Sequence, residues 1–470
     1  MRRVQIPLLI LLPASLMWLS CGGSVTAGST KTSGLSYRAF IINNVSSGTA
    51  AAGVYIINAL KDQLAAVPPI SGGNTPRMMV VTPNRAQTLV FSGNGTQSSD
   101  NKLTIIDNSK EAASGGLTLP GMTESFVVSP DSSTAYVAVP TAPVVGQPPG
   151  IVAQIYISNA SLAGEVNIPS VQFLSMDNSG NRILGFSEGS VADTVAVITP
   201  SNIGIPNAQV VTFVGGFDHP VAAFFSSDDT TAYVLNCGAE CGGTQASLQT
   251  LDLTTNTPGP PGVVCTPGGN PPCAGTLNLV AGSVALVNNS TMYVAGTPVP
   301  ASPCTGQTTA ATTCGLLTIV DLNTMSVTNA APIVITDGYH NRIALAANGQ
   351  LFIGANTCTE IIPPIPPPTG AETRGCLSIY NTLSTAVGST PSGGVLIPPE
   401  NGDVTGFQPI VKRYTGGSVA QQVIYVVQGG SLDIYDVTTD ALAYNPYNTN
   451  NPGKVYGLVG DFMDVKMVDF

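Results

Sequence analysis

The chain has 470 residues and a formal charge of −11, with 9% of residues charged and 43% hydrophobic. It lacks the clustered Lys and Arg needed to hold a phosphate backbone, which excludes nucleic acid as a partner. Disorder is excluded too, because this many apolar residues in regularly spaced runs can bury a core, while 51 Gly and 37 Pro announce a turn-rich chain.

In chain order, the first element is an export signal. Arg2 and Arg3 precede an uncharged run from Val4 to Ser20, the layout of a signal peptide, and the run is shorter than the ~20 residues of a comfortable membrane span. It ends at Ser20-Cys21-Gly22-Gly23, which resembles the lipobox of bacterial lipoproteins, although Trp18 and Leu19 depart from the usual Leu and small residue. That resemblance implies cleavage after residue 20, lipidation of Cys21 and sorting to the outer membrane, with simple secretion as the alternative. The membrane is then touched only through the lipid. Loss of Arg2 and Arg3 takes the charge from −11 to −13. Residues 21–35 read as the lipidated cysteine and a flexible Gly/Ser/Thr tether, and 36–470 as one folded domain.

Within that domain a short β-rich phrase recurs: Thr134-Ala135-Tyr136-Val137-Ala138, Thr231-Ala232-Tyr233-Val234-Leu235-Asn236, Thr291-Met292-Tyr293-Val294-Ala295 and Val423-Ile424-Tyr425-Val426-Val427. Weaker copies are centred on Phe40, Leu89, Leu184 and Phe352. Successive markers are separated by 49, 47, 48, 49, 60, 59 and 73 residues. A period of this length made of short strands is the mark of propeller blades, each a sheet that buries its faces against its neighbours. Before most markers an apolar run ends in a turn such as Ser129-Pro130-Asp131, and after them a strand closes on Asp, as in Leu103-Thr104-Ile105-Ile106-Asp107. These are hairpin signals. The phrase resembles the YVTN-type β-propeller repeats of surface-layer proteins and lactonase-like propellers, a resemblance that implies architecture rather than chemistry.

The expected fold is therefore all-β: a single propeller of about eight four-stranded blades, or seven if one copy is misread. The N-terminal unit has no strand before Arg38, and the chain ends on the unpartnered segment Met463–Phe470. That segment is expected to pair into the first blade and close the ring, removing two open edges.

Eight cysteines follow Cys21 as sequence neighbours: Cys237 and Cys241, Cys265 and Cys273, Cys304 and Cys314, Cys358 and Cys376. An even count at short separations in an exported chain points to disulfides. Nearest-neighbour pairing is the simplest choice, and the spacing of zinc sites is missing. Strands alternate in direction, so loops after second and fourth strands share one face. The long second-strand loops, with all four cysteine pairs, are expected there, making it the working surface.

Both histidines of the chain occupy equivalent places before a first strand, in Asp218-His219-Pro220 and Tyr339-His340-Asn341-Arg342. A ligand site at the channel mouth built from Asp218, His219, His340, Arg342 and Glu124 is the sharpest expectation, and turn residues with satisfied hydrogen bonds are the plainer one. No metal site and no cofactor are expected. There is no Gly-x-Ser-x-Gly elbow, His-Glu-x-x-His helix or phosphate loop. The expected role is a non-enzymatic binding module for a protein, glycan or small ligand; a lactonase-like hydrolase and a structural surface-layer component are the alternatives.

Overall fold

The computed structural model describes residues 32–45, 50–93, 100–265, 273–299, 314–358, 375–388, 390–398, 400, 402–412, 421–445 and 448–469. The expected signal peptide, Cys21, Cys304 and Phe470 lie outside them.

The strands form eight antiparallel sheets. Their first strands are Phe462–Met467 for blade 1, then Pro76–Val81, Ser125–Val128, Val171–Met176, Pro220–Phe225, Val284–Asn288, Tyr339–Leu345 and Val404–Lys412 for blades 2 to 8. Each of these eight touches the next, and the eighth returns to the first, so they line a closed circle around an axis. The fold is an eight-bladed β-propeller, as the marker spacing predicts.

The Tyr-Val marker lies on the second strand of its blade, and alternation along a strand explains its conservation of type from copy to copy within the chain. In blade 3, Tyr136 joins a cluster shared with blade 4. Its neighbour Val137 points the other way, into a cluster shared with blade 2. The same division recurs around the ring: Tyr233 faces blade 6 while Val234 faces blade 4. Every blade is thus apolar on both faces, and the cores lie between blades rather than within them.

The C-terminal segment closes the ring as expected. Phe462–Met467 pairs antiparallel with Arg38–Asn43, Ile41 opposite Val465. Arg38 fastens the junction: its guanidinium reaches Asp469 at 2.7 Å and Glu111 of blade 2 at 2.8 Å. Nearby, the buried Lys412 of blade 8 pairs with the buried Asp62 of blade 1, which also accepts the Tyr425 hydroxyl.

The turns follow from sequence chemistry. Asp131 accepts hydrogen bonds from the Ser129 hydroxyl and the Ser133 amide, and Asp228 does the same with Ser226 and Thr230. At the end of third strands, Asp107 and Asp252 accept the amides two and three residues on. Four positions after these aspartates the chain takes a left-handed residue, Glu111 and Asn256, which reverses it into the fourth strand.

One part of the fold departs from the expected face assignment. The fourth strand of blade 5 leaves its sheet after Thr257–Pro258, and a hairpin of Gly262–Cys265 and Cys273–Asn278 takes its place. Cys273–Asn278 ends opposite Ser247, so the Cys265–Cys273 disulfide closing this hairpin hangs toward the opposite face. There Cys265 Sγ lies 3.7 Å from the Thr324 carbonyl, in the turn after the third strand of blade 6.

Candidate functional site at the channel mouth

First strands of blades 1, 2, 4, 5, 7 and 8 each carry a register shift near their beginning, between Phe462 and Asp464, Pro76 and Met78, Val171 and Phe173, Pro220 and Ala222, His340 and Arg342, and Val404 and Gly406. A bulge inserts one residue and re-aims its neighbours. Here it brings Arg77 with Met78, Val221 with Ala222, and Asn341 with Arg342 to the axis as consecutive residues. Together with Glu124 before blade 3 and Glu188 after the second strand of blade 4, they line an axial cavity of about 590 Å³.

The cavity lies where first strands begin and second strands end, which is the face of the second-strand loops. The Cys237–Cys241 and Cys358–Cys376 disulfides clamp two of these loops, in blades 5 and 7. Cys314 is also disulfide-bonded, beside the corresponding loop of blade 6. Disulfide-bonded cysteines therefore stand at the second-strand loops of three neighbouring blades, 5, 6 and 7, on the face of the mouth, and Cys265–Cys273 stands apart from them.

The blade 5 clamp reaches the cavity wall through Glu240. Its carboxylate accepts the Ser283 hydroxyl at 3.1 Å and the Thr297 amide at 3.1 Å, and Ser283 lines the cavity. Burial pushes the Glu240 carboxyl up to about 7, against the two hydrogen bonds, which favour its charged form. Burial also raises the Tyr339 hydroxyl, and the negative charges of Glu240, Glu124 and Glu188 add to that. On the blade 7 and 8 side, Arg342 is anchored by donating from Nε to the Thr405 carbonyl at 2.8 Å and from Nη1 to the Asn341 carbonyl at 2.9 Å. Around it, Asn341 Oδ1, Asn356 Oδ1 and Thr405 Oγ1 are shielded from solvent and have no hydrogen-bond partner. Buried polar atoms without partners are costly, so this wall holds hydrogen-bonding capacity that the protein itself leaves unused.

The five expected site residues do not converge. Glu124 and Arg342 line the cavity, whereas neither histidine does. His340 is fully buried in the wall between blades 6 and 7, its Nε2 2.9 Å from the Thr336 carbonyl. A carbonyl can only accept, so Nε2 carries the proton and Nδ1 is a bare acceptor without a partner. Burial holds this imidazole neutral, its pKa pushed down to about 4. The bulge is the reason: it turns His340 into the wall and gives the axis to Asn341 and Arg342. His219, in a left-handed conformation with φ of 53°, turns instead toward Asp218 and Asp193 between blades 4 and 5. Asp193, which follows the second strand of blade 4 and is not among the expected site residues, stands beside this histidine. Arg77, Glu188 and Tyr339 are not among the expected site residues: Arg77 reaches the axis through a bulge that simple alternation does not signal, and Glu188 lies in a loop after a second strand.

No family model matches the chain, and no curated protein matches it. Among solved structures, dihydro-heme d1 dehydrogenase NirN in complex with DHE is similar at a TM-score of 0.52 and 11% identity, over 92% of this chain and 75% of that one. Hydrazine synthase of Kuenenia stuttgartiensis has a TM-score of 0.46 and 13% identity over 78% of this chain and 96% of its own. BamB from Moraxella catarrhalis has a TM-score of 0.44 and 11% identity over 78% and 84%. At such identities the likeness to NirN is one of fold, and it agrees with the ring of blades described above.

Proposed function

We propose that this chain is an envelope-anchored, YVTN-type β-propeller that binds a small polar ligand, or a polar group of a glycan or protein, at the mouth of its axial channel. The observation that carries the reading is the axial cavity itself. It combines two arginines, two glutamates and three shielded polar atoms without partners, on the face that carries the disulfide-clamped loops of blades 5 and 7. A concave, convergent polar wall built on packed strands suits recognition, because little freedom is lost on binding. The hydrolase alternative has less support, since an imidazole to move protons at the axis is missing among the described residues. Anchoring rests on the sequence Ser20-Cys21-Gly22-Gly23.

Two experiments test the reading. Envelope extract passed over the immobilised full-length chain, followed by mass spectrometry of bound proteins and small molecules, is expected to yield a partner that is lost with Arg77→Ala/Glu188→Gln. Both residues are exposed, so the variant is expected to fold, and its melting curve checks this. A captured set unchanged by the substitutions rejects the axial mouth as the binding site. Fatty-acid labelling in the expressing bacterium is expected to mark the wild type and not Cys21→Ala; equal labelling rejects the anchor.

A further inference from the structure

Away from the axis, between blades 4 and 5, one group of side chains has no part in the channel mouth. Asp193 follows the second strand of blade 4, and Asp218 and His219 lie in the connection to the first strand of blade 5. One donor atom from each comes within 4.8 Å of the others, and among the described residues this is the group of three His, Cys, Asp or Glu so arranged. His219 Nδ1 is 3.2 Å from Asp193 Oδ1 and 3.5 Å from Asp218 Oδ1. Yet it is aligned for a hydrogen bond with neither, and the nitrogen is shielded from solvent.

The ring nitrogen thus stands beside two carboxylate oxygens from different blades while bonded to neither. The separations fit a shared ion: tetrahedral bonds of about 2.0–2.2 Å give edges of about 3.3–3.6 Å between ligand atoms. The carboxylates are also held as ligands are held. Asp218 Oδ2 accepts the Thr244 hydroxyl and the Gln245 amide, the latter at 2.7 Å, while Oδ1, nearest the histidine, accepts the Thr244 amide at 3.0 Å and keeps a lone pair. Asp193 Oδ1 accepts the His219 amide at 3.4 Å, which ties the loop of blade 4 to the imidazole's own backbone.

We propose that Asp193, Asp218 and His219 bind one divalent first-row transition ion, with zinc as the best match to one imidazole and two carboxylates. Calcium and magnesium prefer all-oxygen sites. Three protein ligands leave a position for water or for a donor atom of a bound molecule. The ion joins blade 4 to blade 5 beneath the Cys237–Cys241 loop, where Gly242 and Gly243 approach the same imidazole, so it adds a third kind of clamp to the working face.

The test uses the purified full-length chain, stripped with a chelator and titrated with zinc by calorimetry and equilibrium dialysis. Wild type is expected to take up one zinc per chain and to melt at a higher temperature when loaded. Asp193→Asn and His219→Asn are each expected to weaken binding at least about tenfold and to lose the melting shift. Asn tolerates the left-handed backbone at position 219, and metal-free melting checks that both variants fold. Glu188→Gln, in the axial cavity, is expected to bind as wild type does. Absence of zinc uptake by the wild type at millimolar zinc overturns the proposal, and so does unchanged affinity in both variants. Neither result bears on the axial cavity, which shares no residue with this site.

Discussion

Single residues set the contacts that hold one blade to the next, and several repeat with the period of the sequence. The Leu174 amide donates to the Ser125 hydroxyl and the Ala223 amide to the Ser175 hydroxyl, each at 3.0 Å and across 49 and 48 residues. A hydroxyl on one first strand thus satisfies an amide on the inner, unpaired edge of the next first strand. His340 shows the opposite case, a titratable ring sealed between blades. Its folded pKa of about 4 lies below the ordinary 6.5, so the unfolded chain takes up a proton that the folded chain refuses. Stability is therefore lost as pH falls from 6.5 toward 4, by an amount of the order of 3 kcal/mol. Denaturant unfolding at pH 7 and pH 4.5 is expected to show a smaller acid loss in His340→Gln than in wild type; equal losses would mean that the ring titrates freely.

At the scale of elements, a loop and its neighbouring strand share a buried charge. The disulfide-clamped turn Gly238–Cys241 lays Glu240 against Ser283 and Thr297 of blade 6. Its folded pKa of about 7 exceeds the ordinary 4.5, which reverses the sign found for His340. Here the folded state holds the proton longer, so this group's contribution worsens as pH rises from 4.5 to 7, again by a figure of the order of 3 kcal/mol. Glu240→Gln keeps an acceptor for the Thr297 amide and removes the charge. The variant is expected to gain stability relative to wild type between pH 5 and pH 8 in paired unfolding curves, and a constant difference across that range would refute the buried charge. The bulges in first strands are the second device at this scale. One added residue gives the axis two consecutive side chains in blades 2, 5 and 7, and in blade 7 it decides that Arg342 rather than His340 faces the cavity.

For the whole molecule, the decisive feature is closure. A ring of sheets that are apolar on both faces is stable only if the last blade meets the first, and the cluster shared by blades 8 and 1 contains Ala39 and Ile41 beside Tyr425, Ile434 and Val465. Arg38 sits at the seam between the two ends of the chain, its charge held by Asp469 and Glu111, both largely buried. Arg38→Ala leaves those carboxylates unpaired and is expected to cost about 3 kcal/mol in equilibrium unfolding. Arg38→Lys, which keeps the charge but loses the forked contact, is expected to fall between. A cost below about 0.5 kcal/mol, the range of ordinary surface substitutions, would show that the seam does not depend on this latch.

Sequence by itself determined the ring: the Tyr-Val markers, the turn aspartates and the unpaired strand at the end are local signals, and their physics is local too. Alternation sends neighbouring side chains to opposite faces, Asp and Ser close turns, and an unsatisfied edge needs a partner. Cysteine spacing likewise foretold the pairs Cys237–Cys241, Cys265–Cys273 and Cys358–Cys376. The tertiary structure decided where the chemistry stands. Bulges turned His340 into a wall, a displaced fourth strand carried Cys265–Cys273 to the far face, and Asp193 met His219 from another blade. Each depends on register or on the meeting of segments from different blades, and neither leaves a periodic trace in the chain.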